Sequence, residues 1–126
     1  DLLNMVLSEC YDTPDADEYN AVTAAVTDND GHRVYFYPRY CLNIALYNLQ
    51  RPELVQLYSV LNGEALSPTH PAHNFFIGRH MRNWEMICSM NWILPTGVDE
   101  ERFYDLYTLA MSAMDGLQYR WLGDDR

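Results

Sequence analysis

Lysine is absent from this sequence: its eight basic residues, Arg33, Arg39, Arg51, Arg79, Arg82, Arg102, Arg120 and Arg126, are all arginine and widely scattered. Against eighteen Asp and Glu they leave a formal net charge of −10, with an isoelectric point near 4.5. Proteins grip a phosphate backbone with clustered Lys and Arg, so direct nucleic-acid binding by this chain is not expected. Cysteine is scarce. Cys10, Cys41 and Cys88 are odd in number and form no CxxC pair, which fits free thiols in a reducing compartment and a cytoplasmic protein. No apolar run approaches a membrane span, and no secretory signal is visible. No glycine-rich phosphate loop and no G-x-S-x-G occurs. Glu64 beside an apolar run reads as a solvated helix residue, and Cys41 has no histidine placed to activate it. An enzyme is therefore not expected. His70, His73 and His80 lack the paired cysteines and the spacing of a closed zinc site, so neither metal nor cofactor is expected.

What is present reads as helix. At 126 residues and 48% hydrophobic, the chain fits one domain with a real core. Leu2, Leu3, Val6, Leu7 and Cys10 recur at helical spacing, in a helix that ends before Pro14. The acidic stretch DTPDADEYN reads as a loop or a weak helix start. The segment from Ala21 to Tyr37 admits two readings. AVTAAVT, DNDGH and RVYFY make a β-hairpin around a turn; Tyr19, Val22 and Val26 on one face, and Tyr37, Cys41, Ile44 and Asn48 on another, make helix. Helix is preferred, because every clear segment around it is helical, with Pro38 in a first turn or at a kink. Pro52 opens a helix with Leu54, Leu57, Tyr58, Leu61 and Ala65 on its apolar face. Pro71 opens a long one, to about Asn91, with Phe76, His80 and Ile87 on one side and Ile77, Met81, Trp84 and Cys88 on another. LPTGVD breaks it.

Asp99 is a good N-cap for the last helix, with Glu100 and Glu101 at the positive end of its dipole. Phe103, Tyr107, Ala110, Met114, Leu117 and Trp121 then alternate at spacings of four and three, a seam of nearly three heptads. Leu106, Leu109 and Ala113 widen it. Gly116 sits inside this helix at a cost of about 1 kcal/mol against alanine. Ala110, Ala113 and Gly116 would let a second helix come close, and two-fold dimers are the commonest oligomer. The expected dimer interface is Phe76, His80, Ile87, Phe103, Tyr107, Ala110, Met114, Leu117 and Trp121. The alternative is the central helix of a monomer.

Two segments carry a resemblance. RPELVQLYSVLNGEALSPTHPAHNFF (Arg51 to Phe76) resembles the middle of the regulatory domain of tetracycline-repressor-like (TetR/AcrR) transcription regulators. LPTGVDEERFYDLYTLAMSAMDGLQYRWLGD (Leu94 to Asp124) resembles their last helix, with G-x-D at its start and DGLQ-x-x-W-L at its end. DLLNMVLSECYD is similar to the helix that follows the DNA-binding head. The likeness covers most of the chain but not Thr13 to about Gly31. It departs at Gly78, at His80 and in SMNWILPTG. It implies an all-α bundle of about six helices that binds a small effector in its interior and dimerises through its last two long helices. The three-helix DNA-binding head would lie before Asp1, so the chain reads as the sensing half of a longer protein, touching DNA only through that head, with no membrane contact.

Ten tyrosines and six methionines suit such a pocket, because tyrosine combines an apolar face with one polar handle and methionine adapts to irregular shapes. The candidate ligand residues are Tyr37, Tyr40, Cys41, Ile44, Tyr58, Leu61, Ile77, Met81, Trp84 and Cys88. A small apolar or aromatic ligand suits them. Asp1 to Tyr11 would be the transmitting helix. The rival reading is a helical protein–protein adaptor with no small-molecule pocket.

Overall fold

The computed structural model describes residues 2–11 and 14–124, and the side chains of all of these but 10, 11 and 14–18. Six helices and three short strands follow in the order α1 (Leu2–Tyr11), α2 (Pro14–Thr23), β1 (Ala25–Thr27), β2 (Arg33–Phe36), α3 (Tyr37–Leu49), α4 (Pro52–Glu64), α5 (His73–Cys88), β3 (Trp92–Ile93) and α6 (Glu100–Leu122). The molecule is mostly helical but not all-α, because the disputed segment divides: its first part is α2 and its second is a hairpin.

Turn chemistry explains the hairpin. Asp28 Oδ1 accepts the backbone N–H groups of Asp30 (3.0 Å) and His32 (2.8 Å), and Gly31 takes φ +81°, a conformation side chains disfavour. The strands on either side are held in register by the pairs Ala25↔Tyr35, Val26↔Val34 and Thr27↔Arg33. A third strand comes from a residue 57 positions after Tyr35, since Tyr35 pairs with Trp92 in parallel. That long-range strand cannot be seen in the local pattern, where Trp92 lies in the break after a long helix.

Proline and acidic caps place the other boundaries. Pro38 and Pro52 stand in the first turns of α3 and α4, where the missing N–H costs nothing. Asp99 caps α6 by accepting the Arg102 N–H at 2.9 Å, with Glu100 and Glu101 in the first turn and Arg120 in the last, each complementing the helix dipole. The long fifth helix is shorter than the sequence suggests. It starts at His73, after a turn in which His70 Nδ1 accepts the Ala72 N–H, and ends at Cys88.

Two cores result. The larger is aromatic: Tyr37, Tyr40, Trp84, Phe103 and Tyr107 are buried with Ala21, Ala24 and Ile87. Trp92 holds it together from the sheet side, with its ring centroid 5.4–5.9 Å from those of Tyr37, Tyr40 and Phe103. Its indole N–H donates at 2.7 Å to the Ile87 carbonyl, which also accepts the Met90 N–H beyond the end of α5. The smaller core gathers Leu7 of α1, Ala65, Ala72 and Phe75. Among the described residues no helix is long and apolar enough to cross a membrane.

Candidate functional site

A partly enclosed cavity of about 130 Å³ lies among α3, α4, α5 and α6, with one residue of α2 at its wall. Each wall is one face of a helix. Tyr40, Ile44, Tyr47 and Asn48 line it from α3, at the spacing that stacks side chains on one side. Arg79, Asn83 and Ile87, four apart, line it from α5, and Tyr107, Met111, Met114, Asp115 and Gln118 from α6. Leu54, Val55 and Tyr58 of α4 close it, with Arg51 at the α3–α4 junction and Asn20 from α2.

The cavity is more polar than the tyrosine and methionine content suggests. Its two guanidinium groups are engaged with other partners. Arg51 donates from Nη1 to the Tyr47 carbonyl at 2.9 Å and lies 3.6 Å from the centre of the Tyr47 ring. Arg79 lies 5.1 Å from the centre of the Tyr58 ring. Burial pushes the Asp115 carboxyl above the usual aspartate range, and the positive charge of Arg79, then of His80, pulls it partly back. Asp115 still shows part of its surface to solvent, so it sits at the cavity's rim with its carboxyl against poorly hydrated walls. Two wall amides hold atoms with no partner. Asn20 is 2% exposed, and among the described residues its Oδ1 accepts from none; Gln118 Nε2 is buried and donates to none of them. An unpaired buried polar atom costs about 1–3 kcal/mol, so both are departures from ordinary packing.

Of the ligand residues expected from the sequence, Tyr40, Ile44 and Tyr58 line this cavity. The other seven lie elsewhere. Tyr37 and Trp84 are buried in the aromatic core with Cys41 packed against it, and Leu61 packs beside Leu7. Ile77, Met81 and Cys88 are exposed. Burial raises both the Tyr37 phenol and the Cys41 thiol. The Cys41 charge raises Tyr37 further and the neighbouring Tyr37 hydroxyl pulls Cys41 partly back, but among the described residues Tyr37 Oη has no partner in good hydrogen-bond geometry. Partial burial, and then Glu100, raises the Cys88 thiol too, so neither thiol is tuned as a nucleophile at neutral pH.

The expected dimer seam also needs redrawing. Ile87, Phe103 and Tyr107 are 1%, 5% and 2% exposed inside this chain, so they present no surface to a second copy. Ala110 packs on the same core, and Met114 lines the cavity. Phe76 is half-buried against Tyr58 and Phe75, and His80 stacks on Tyr107 at 4.9 Å and meets Thr108 Oγ1 at 3.2 Å. Leu117 and Trp121 are exposed. The apolar stripe that α6 leaves uncovered is Leu106, Leu109 and Leu117, with Ala113 between them. Leu106, Leu109 and Ala113 each precede a seam residue by one position, a turn of about 100°, while Leu117 belongs to both faces. The helix has two apolar faces, and the one with Phe103 and Tyr107 goes inward because Trp84 and Tyr37 meet it there.

The histidines considered for metal binding have separate partners. His70 Nε2 faces Glu64 at 3.4 Å, His73 Nδ1 donates to the Ala65 carbonyl at 2.7 Å, and His80 meets Thr108. Among the described residues, ligand atoms of Asp28, Asp30 and His32 come within 4.8 Å of one another at the hairpin turn. The turn's own hydrogen bonds explain that cluster.

No family model, curated protein or solved structure matches the chain.

Asn20, Arg79, Asn83 and Gln118 were not expected, because apolar periodicity does not single out polar wall residues. A signal existed: Arg79 and Asn83 continue the same four-residue spacing as Ile87, so polar residues share a stripe with a buried one.

Proposed function

We propose that this chain is the effector-sensing and dimerising domain of a TetR/AcrR-like transcription regulator, which passes occupancy of its cavity to a DNA-binding head preceding α1. The observation that carries this reading is the cavity among four helices with unpaired amide atoms on two of its wall residues. An adaptor has no use for it; a fully packed interior would serve better. Pockets for small molecules are concave, with a few placed polar groups. Four tyrosines in the walls, Tyr40, Tyr47, Tyr58 and Tyr107, suit an aromatic effector over a purely aliphatic one.

A packed route runs from the cavity to α1. Tyr58, in the wall, meets Phe76 edge-on at 5.5 Å, and Phe76 meets Phe75 at 5.1 Å. Phe75 is buried with Leu7 of α1, which is 0% exposed. A ligand that favours one position of Tyr58 would shift the population of α1 positions, and so the spacing of two heads on their half-sites. In this reading a second copy covers the Leu106, Leu109 and Leu117 face of α6.

Native mass spectrometry of the purified chain tests the proposal. The expected result is twice the chain mass plus a co-purifying compound of a few hundred daltons or less. A bare monomer that gains no mass from a library of small aromatics would refute it.

A further inference from the structure

The cavity's shape and its unpaired atoms narrow what it holds, provided that it is the effector site argued above. An engineered protein cavity of about 150 Å³ holds one benzene, so about 130 Å³ of space corresponds to a single ring. The walls offer that ring tyrosine faces. The walls carry two arginines and one aspartate, and both guanidinium groups already have partners: Arg51 the Tyr47 carbonyl and ring, Arg79 the Tyr58 ring and the charge of Asp115. An anion would have to break these contacts to gain a guanidinium. Among the wall amides, two atoms stay unmet and are paired in sense: an acceptor on Asn20 of α2 and a donor on Gln118 of α6. The terminal amide torsions of Asn and Gln are broad and soft, so both groups can turn toward a bound molecule at little cost.

We propose that the cavity takes an uncharged, single-ring aromatic compound carrying a hydrogen-bond donor for Asn20 Oδ1 and an acceptor for Gln118 Nε2. Such a molecule bridges α2 and α6 across the cavity. A hydrocarbon of equal size would fill the space and leave both amide atoms unpaired.

The test is a protein-observed NMR titration of the chain with 4-hydroxybenzamide, toluene and benzoate. The expected order puts 4-hydroxybenzamide first, with shifts at residues of the cavity wall. Asn20→Ala and Gln118→Leu should each weaken its binding about tenfold. Circular dichroism confirms that each variant is folded, and Gln118, half-buried, is the safer of the two should Asn20→Ala unfold. The proposal is overturned if toluene or benzoate binds as tightly as 4-hydroxybenzamide, or if a folded Gln118→Leu chain binds it as the parent does. In those cases the cavity remains a ligand site and only the chemical class is wrong. If no probe moves a cavity resonance, the class fails, and the sensor reading fails with it when native mass spectrometry also finds no bound compound.

Discussion

Tyr37 puts a hydroxyl where the fold gives it no partner. It is 8% exposed, and its Oη makes no hydrogen bond. Replacing an unsatisfied buried polar group by an apolar one of the same shape is neutral or stabilising. Tyr37→Phe should therefore stabilise the chain by about 1 kcal/mol in urea denaturation. The pH dependence has a definite sign. Burial raises the phenol's folded pKa far above that of the unfolded chain, so its contribution is intact below about pH 10 and declines as pH rises beyond it. The Phe variant should lose stability less steeply above that pH; parallel alkaline limbs would show that Tyr37 is not desolvated. Asp115 runs the same way at lower pH. Its folded pKa is raised, so the folded chain holds a proton that the unfolded chain releases, and stability falls as pH rises from the unfolded value through the raised one. Asp115→Asn should raise the melting temperature at pH 7, and the gain should shrink as pH falls toward about 4. A gain independent of pH would mean that the carboxyl is not the cause.

At the scale of elements, five helices were legible, α2 was open between loop and helix start, the hairpin was the reading not preferred, and the third strand was not foreseen. Pro38, Pro52 and Asp99 mark helix starts by local chemistry, so α3, α4 and α6 could be read from the chain alone. The hairpin was open to two readings because Ala21–Thr27 suits either state; the Asp28 and Gly31 turn favours it locally, and Trp92 completes the sheet from 57 positions beyond Tyr35. Trp92→Ala should cost about 3 kcal/mol, measured by chemical denaturation, since it removes ring contacts to Tyr37, Tyr40 and Phe103 and a hydrogen bond to Ile87. A loss below 1 kcal/mol would show the sheet to be marginal to the core. In α6 the heptad pattern showed that the helix is apolar on two sides but not which side turns in. Aromatic partners on other elements decide that. If the proposed second copy covers this face, Leu109→Glu with Leu117→Glu should halve the mass of the particle in solution with helix content unchanged, because both side chains are more than 60% exposed in the single chain and can be changed without disturbing its core. An unchanged mass would count against a second copy on this face. Gly116 refines this. A Cβ added there meets nothing within 4 Å, so Gly116→Ala should gain about 1 kcal/mol in the Glu-substituted background. The gain should be smaller in the parent, if a second helix approaches at that point.

For the molecule as a whole, three of the ten expected ligand residues line the cavity, and the polar wall residues were not among those expected. Apolar periodicity finds what is buried, but burial alone does not separate a wall from a core. That distinction depends on how four helices leave a gap, which no single segment encodes. The same geometry makes the sensor idea a statement about coupling: occupancy felt at Tyr58 should be felt at Leu7, through Phe76 and Phe75. Contact along a path is only suggestive of coupling until an equilibrium is seen to shift at its far end. The most direct measurement is amide hydrogen exchange of the chain with and without saturating 4-hydroxybenzamide, read at Leu2–Tyr11. Exchange in α1 should change together with that of the cavity helices. Altered exchange at the cavity walls with α1 unchanged would contradict it.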